Sequence, residues 1–135
     1  MQFSFMSVTD NMRTEMITRE LKEISDYVSD SLANLYFLAN STNYSNVTLE
    51  KTLTLPSDVQ GATYNLSIHF NATTFEALSV NASITGSLWA EATSWLLPSL
   101  KVDSNATKSI VSGGKTVVAG CSRVSTSVLV WIAYK

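Results

Sequence analysis

The sequence predicts an α+β fold in which a long N-terminal amphipathic helix packs on an antiparallel β-sheet of about six strands. Two observations predict it. Apolar residues recur at spacings of three to five from about residue 7 to 39, and from residue 47 onward they recur at every second position. The order supplies the arrangement: helix first and strands after gives a helix laid on a sheet, not strands and helices in alternation. The chain has 135 residues, 45% of them apolar, which suits a single domain over 1–135. Its parts are a helix over 7–39, a loop over 40–46 and an antiparallel β-domain over 47–135.

The helix rests on Met12, Met16, Leu21, Ile24, Val28, Leu32, Leu35 and Leu38, which form one apolar stripe that Tyr27 and Ala33 widen. The pairs Glu15/Arg19, Arg19/Glu23 and Lys22/Asp26 stand four apart and give the other face a charge ladder of roughly 0.2–0.5 kcal/mol per pair. Asn40-Ser-Thr-Asn-Tyr-Ser-Asn46 then ends the pattern.

Val47, Leu49, Leu53 and Leu55 alternate with polar residues as a half-buried strand, with Lys51 a misfit on the inner face. Pro56 to Gly61 reads as a turn. Tyr64, Leu66, Ile68 and Phe70 then point one way and Asn65, Ser67, His69 and Asn71 the other, and Val80, Ala82 and Ile84 alternate with Ser79, Asn81, Ser83 and Thr85. The stretch from Gly86 to Leu97 fits a helical stripe almost as well as a strand; a strand ended by Pro98 is favoured, with Trp89 and Trp95 on one face. Ser112-Gly-Gly114 reads as a tight hairpin turn between Ile110-Val111 and Thr116 to Cys121. The last strand, Val124 to Tyr134, becomes apolar on both faces, so it is central in its sheet or covered; Leu129 and Trp131 on its outer side are a contact surface in a subunit that assembles, and in a monomer lie beneath the helix or a loop.

Seven of the nine asparagines stand in Asn-x-Ser/Thr sequons: Asn40, Asn43, Asn46, Asn65, Asn71, Asn81 and Asn105. Ser and Thr make up about a quarter of the chain, so chance would place only about two of nine there. The excess points to an N-glycosylated chain displayed at a surface. Asn65, Asn71 and Asn81 fall on the polar side of their strands, which implies one sugar-covered sheet face, while Asn40, Asn43 and Asn46 mark the helix exit. The unsugared surfaces, Met12, Met16 and Leu21 on the helix and Leu129 and Trp131 on the last strand, are the candidate assembly interface.

Other function classes find little support. A net charge of −2 and a pI near 5.2, with nine scattered Lys and Arg, leave no basic field for nucleic acid. Nine of the twenty charges fall between Asp10 and Asp30, so the remainder of a chain with mean hydropathy +0.12 relies on hydroxyls, amides and sugars for solubility. His69, the single histidine, sits on the polar side of a strand, and neither a catalytic triad nor a zinc or copper site can be assembled around it. The helix carboxylates lack the spacing of a calcium loop, and Gly113-Gly114-Lys115 lacks that of a phosphate loop. No catalytic residue, metal or cofactor is expected. Cys121, the one cysteine, excludes an intramolecular disulfide and reads as a small buried hydrophobe. No run of about eighteen apolar residues spans a bilayer. The opening Phe3, Phe5, Met6 and Val8 reads either as the stump of a longer hydrophobic helix or as a frayed terminus.

The Arg/Glu-rich helix from Arg13 to Asp30, the exit LANST at Leu38 to Thr42 and the segment LEKTLTLPSDVQGATYNLSI at Leu49 to Ile68 resemble archaeal type IV pilin-like surface proteins. The resemblance covers most of the chain as a pattern, with its specific part in the first half. It implies a structural, non-enzymatic subunit or pseudopilin of a cell-surface filament, extracellular and glycosylated. Its partners would be other pilin-like subunits packed through the N-terminal helix, and its link to the membrane an upstream hydrophobic helix. The alternative is an adhesin-like or carbohydrate-binding module with Trp89, Trp95 and Trp131 as contacts.

Overall fold

The apolar period changes from about 3.6 to 2 after residue 40, and the backbone changes with it. The computed structural model describes residues 2–41, 46–59, 61–85, 90–98, 100–102, 109–113, 116–124 and 127–134, with side chains in the first helix from residue 15 onward. Helix α1 runs Gln2–Asn40, about 58 Å of helix uninterrupted by Gly or Pro. Eight strands follow among the described residues: β1 (Asn46–Leu53), β2 (Tyr64–Phe70), β3 (Ala77–Ile84), β4 (Glu91–Trp95), β5 (Leu100–Val102), β6 (Ser109–Val111), β7 (Val117–Val124) and β8 (Ser127–Tyr134). The α+β expectation is met by one helix packed on two four-stranded sheets, of order β1-β7-β8-β5 and β4-β3-β2-β6, in place of one sheet of about six strands. The strand pairs are antiparallel except β5 with β8, which is parallel.

One correction follows from the crossover between sheets. Ser112-Gly113 does not turn a hairpin, because β6 pairs with β2 in one sheet and β7 with β1 and β8 in the other. Ser112 is fastened to β2 instead: its N–H donates to Tyr64 O (2.8 Å) and its Oγ accepts from Tyr64 N (2.9 Å). Gly113, at φ 152°, then takes a conformation that other residues rarely adopt. The turn predicted over 56–61 is present. Val59 and Ala62 exchange both backbone hydrogen bonds, with Gly61 at φ 81° between them.

The core stripe of α1 is Ile17, Leu21, Ile24, Val28, Leu32, Leu35 and Ala39, each worth about 1.5–3 kcal/mol for the larger side chains. It runs one register away from part of the predicted stripe. Met16 and Leu38 are exposed, while Ile17 and Ala39 are buried, because the helix is wedged between the two sheets and the stripe follows the line that both can reach.

Each flank of the helix meets the edge strand of a different sheet. Lys22 Nζ donates to Thr93 O (2.8 Å) and Ser29 Oγ to Trp95 O (3.0 Å), so helix side chains close carbonyls on the outer edge of β4. On the β1 side, Thr54 N donates to Tyr27 Oη (3.1 Å). Lys51 does lie on the inner face of β1, in register with Ala119; its amine reaches Ser31 Oγ (3.4 Å) and sits 5.2 Å from the Tyr27 ring centroid. The other two sheet edges are covered as well. Tyr134 Oη accepts from Val111 N (2.7 Å) and donates to Val111 O (2.9 Å), and Val102 N of β5 donates to Phe75 O (2.8 Å).

β8 lies inside its sheet, between β7 and β5, which answers why it is apolar on both faces. Val128, Val130 and Ile132 point into the core and Leu129, Trp131 and Ala133 to the outer face, half-buried. Asn40 and Asn46 belong to regular elements, not to a loop over 40–46: the first ends α1 and the second begins β1 opposite Val124.

Candidate functional site

The sequons occupy different environments. Asn40 is exposed at the last residue of α1. Ser41, the middle residue of its sequon, donates N–H to Phe37 O (3.1 Å) and Leu38 O (3.2 Å) and Oγ–H to Leu38 O (2.8 Å), which closes the helix end. Asn46 is exposed at the start of β1. Asn71 lies just past β2 in the turn to β3, and its Oδ1 accepts from Thr73 N (2.8 Å) and Thr74 N (3.3 Å) in an Asx-turn, with the residue exposed. Asn43 and Asn105 lie outside the described residues.

Asn65 and Asn81 do share the outer face of the β4-β3-β2-β6 sheet, as alternation predicts: Asn65 stands opposite Ser83, and Asn81 opposite Ser67 and Thr93. Asn81 lies deeper in the sheet than the other described sequon asparagines. It is only 8% exposed, and its Nδ2, the atom to which an N-linked sugar attaches, donates to Thr93 Oγ1 (3.1 Å). Of the sequon asparagines expected on this face, Asn65 is half-buried and Asn71 lies exposed at its end. Period-two alternation identifies the face of a side chain but not how tightly neighbouring strands enclose it.

That outer face is mostly polar, with His69, Ser79 and Trp95 in one row across three strands, Ser67, Asn81 and Thr93 in the next, and Asn65, Ser83 and Glu91 in the third. Trp95 is 76% exposed at its edge. Trp89 lies outside the described residues.

The candidate assembly residues separate into three groups. Leu21 is fully buried in the core and so offers nothing to another subunit; the apolar stripe to which it belongs is consumed by the sheets. Met16 is exposed, and Met12 lies in the part of α1 whose side chains are outside the described residues. Leu129 and Trp131 lie on the outer face, but the indole rests against Gly120 of β7, where a Cβ would overlap it. The apolar outer pair is thus partly satisfied within the chain.

The seam between α1 and β4 gathers the densest polar network. Ser94 Oγ donates to Asp26 Oδ1, lies 3.0 Å from Ser25 Oγ and accepts from Lys22 Nζ at 3.2 Å, while Lys22 and Asp26 form an ion pair at 3.1 Å. The Ser94 hydroxyl, opposed by desolvation and helped by Lys22, holds the Asp26 carboxyl below its ordinary value. Both serines are buried, so the network joins helix to strand and presents no hydroxyl to a substrate. Sequence reasoning missed it, since Ser25 and Ser94 are 69 residues apart. On the opposite flank a cleft of about 470 Å³ is lined by Glu20, Glu23, Ile24, Tyr27, Leu55 and Asp58. Carboxylates over an apolar floor favour cationic occupants.

Cys121 is buried, and desolvation pushes its thiol up to about 11. His69 is exposed on the outer face. Among the described residues no three His, Cys, Asp or Glu side chains gather as a metal centre, and no helix is long and apolar enough to cross a membrane. The chain matches no family model, no curated protein and no solved structure.

Proposed function

We propose that this chain is a glycosylated display domain of a cell-surface filament, a structural and non-enzymatic subunit of the archaeal type IV pilin-like kind. The observation that carries the reading is the course of α1. It is embedded between two sheets from Ile17 to Ala39 and continues as helix for about four more turns toward Gln2, ahead of the first core residue among the described side chains. A helix held by a β-domain over one half and extended beyond it over the other is the form in which pilin-like subunits pack helix to helix while their β-domains face outward. The exposed sequons Asn40, Asn46 and Asn71 lie at the end of α1, at the start of β1 and in the β2–β3 turn, all away from that leading half of the helix. Partners are further pilin-like subunits along the N-terminal helix, and the location is the outer cell surface. Immunogold labelling with antibody to this domain on native cells tests it: decorated filaments are expected, and label spread over cells without filaments would reduce the reading to a membrane-held monomer.

A second reading, a carbohydrate-binding surface module, is favoured by the exposed Trp95 beside the polar row of His69 and Ser79. Glycan-array binding that disappears in Trp95→Ala would select it over the first.

A further inference from the structure

The last turn of α1 carries an exposed apolar surface that the fold does not use. Phe37 is 59% exposed and Leu38 57%, on a helix whose core stripe runs through Leu35 and Ala39. Phe37 meets Tyr36 in an edge-to-face contact, ring centroids 5.6 Å apart at 65°, which engages at most one face of the Phe37 ring. Three residues further on stands Asn40, exposed, still helical, and the acceptor of a sequon.

Helix geometry brings these groups together. Residues three and four apart are surface neighbours, about 5–6 Å between Cβ atoms, and a helical side chain leans toward the N-terminus, over the turn that precedes its own Cα. The turn preceding Asn40 holds Tyr36 and Phe37. The hydrogen bonds of Ser41 to Phe37 O and Leu38 O keep that turn helical to its end, so Asn40 has a defined position above the aromatic pair. We infer that the aromatic pair of the last helical turn is a seat for the first saccharide unit of a glycan on Asn40. One face of a pyranose is lined with C–H bonds, and it matches the negative face of the Phe37 ring; stacking there also removes apolar surface from water. The chain thereby uses its own sugar to cover a patch that the described strands leave exposed.

Asn71 also has aromatic neighbours, but Phe75 is only 38% exposed and is stacked on Phe70 at 6.1 Å, so its ring is already committed to the protein. Asn40 has the more open ring beneath it.

This inference rests on the glycosylated-display reading, and the experiment separates the two. The full chain is produced in an archaeal host that glycosylates Asn-x-Ser/Thr, occupancy is read by mass spectrometry, and unfolding midpoints are measured for wild type, Asn40→Gln, Phe37→Ala and the double variant. The same four proteins made without sugar in a bacterium serve as the baseline. With Asn40 occupied, Asn40→Gln is expected to lower the midpoint by about 3 °C in the Phe37 background and to have no effect after Phe37→Ala or in the sugar-free set. Cross-relaxation between Phe37 ring protons and the proximal sugar is expected in NMR spectra of the glycosylated wild type. Equal Asn40→Gln effects in both backgrounds, or an occupied Asn40 with no such cross-relaxation, would overturn the seat and leave the display reading standing. A bare Asn40 beside other occupied sequons overturns it likewise, whereas sugar on no sequon overturns both.

Discussion

Arg123 Nη1 donates to the carbonyl oxygen of Ala39 at 3.2 Å, so a cation on the inner face of β7 closes the C-terminal end of α1. The last carbonyls of a helix have no partner within it and carry its negative dipole end, which makes a guanidinium there doubly favourable. Arg123→Met is expected to lower stability by about 1–2 kcal/mol, read as a shift in urea midpoint at constant slope. Faster amide exchange at residues 37–41 should accompany it.

Gly120 is needed for a different reason. The Trp131 indole occupies the space that a Cβ at 120 would enter, so Gly120→Ala must displace the ring or bend β7. A loss of about 1–3 kcal/mol is expected. In the Trp131→Ala background the same substitution should cost far less, and a double-mutant cycle measures the coupling; additive effects would show that the indole is not the obstacle.

The α1–β4 seam gives an acid-sensitive contribution. The Ser94 hydrogen bond and Lys22 hold Asp26 below its ordinary 3.8, so the folded chain binds this proton less readily than the unfolded chain. Its stabilisation is complete above that ordinary value and is lost as pH falls through the lowered one. Asp26 is half-exposed, so the effect is small. Asp26→Asn is expected to be less stable than wild type at pH 7 and to converge with it in acid; parallel pH profiles would contradict this.

On the alkaline side two buried groups act together. Burial pushes Cys121 from 9.0 to about 11, and burial with the nearby Asp58 charge pushes Tyr64 from 10.0 to about 12. Each folded state resists losing its proton, so the stabilisation is present below the unfolded values and declines as pH rises toward about 11 and 12. Cys121→Ala and Tyr64→Phe should each flatten part of that decline in denaturant titrations from pH 8 to 12. Tyr64→Phe also removes the hydroxyl that donates to Pro56 O at 2.6 Å, for a loss of about 1 kcal/mol at neutral pH.

Thiol labelling checks the burial of Cys121 directly. Iodoacetamide is expected to modify it slowly in the native protein and rapidly in denaturant. Rapid native labelling would show that the strand around it opens.

The regular elements were legible because their signals are local. A helical period over 7–39, alternation at Val47 to Leu55 and at Tyr64 to Phe70, and the Gly61 turn each need only a few neighbours along the chain to be read. Even Lys51, the one polar misfit, lies on the inner face that alternation predicts. The Ser112-Gly-Gly114 hairpin failed because a glycine turn signals a change of direction, not which sheet the chain enters next. Met16 and Leu21 show a similar limit: one period contains both, but only the positions of two sheets separate the exposed residue from the buried one.

The candidate surfaces divide in the same way. By itself the sequence determined an N-terminal helix followed by strands, the seven sequons, the shared face of Asn65 and Asn81 and the two-sided apolarity of the last strand, since each follows from residue type and spacing. Only the tertiary structure decided that Asn81 is buried with its Nδ2 donating to Thr93, that Trp131 lies on Gly120 while Trp95 is exposed, and that Phe37 remains exposed in the turn before Asn40. Exposure and hydrogen bonding are set by residues that meet across strands and across the helix seam, and no spacing along the chain encodes those meetings.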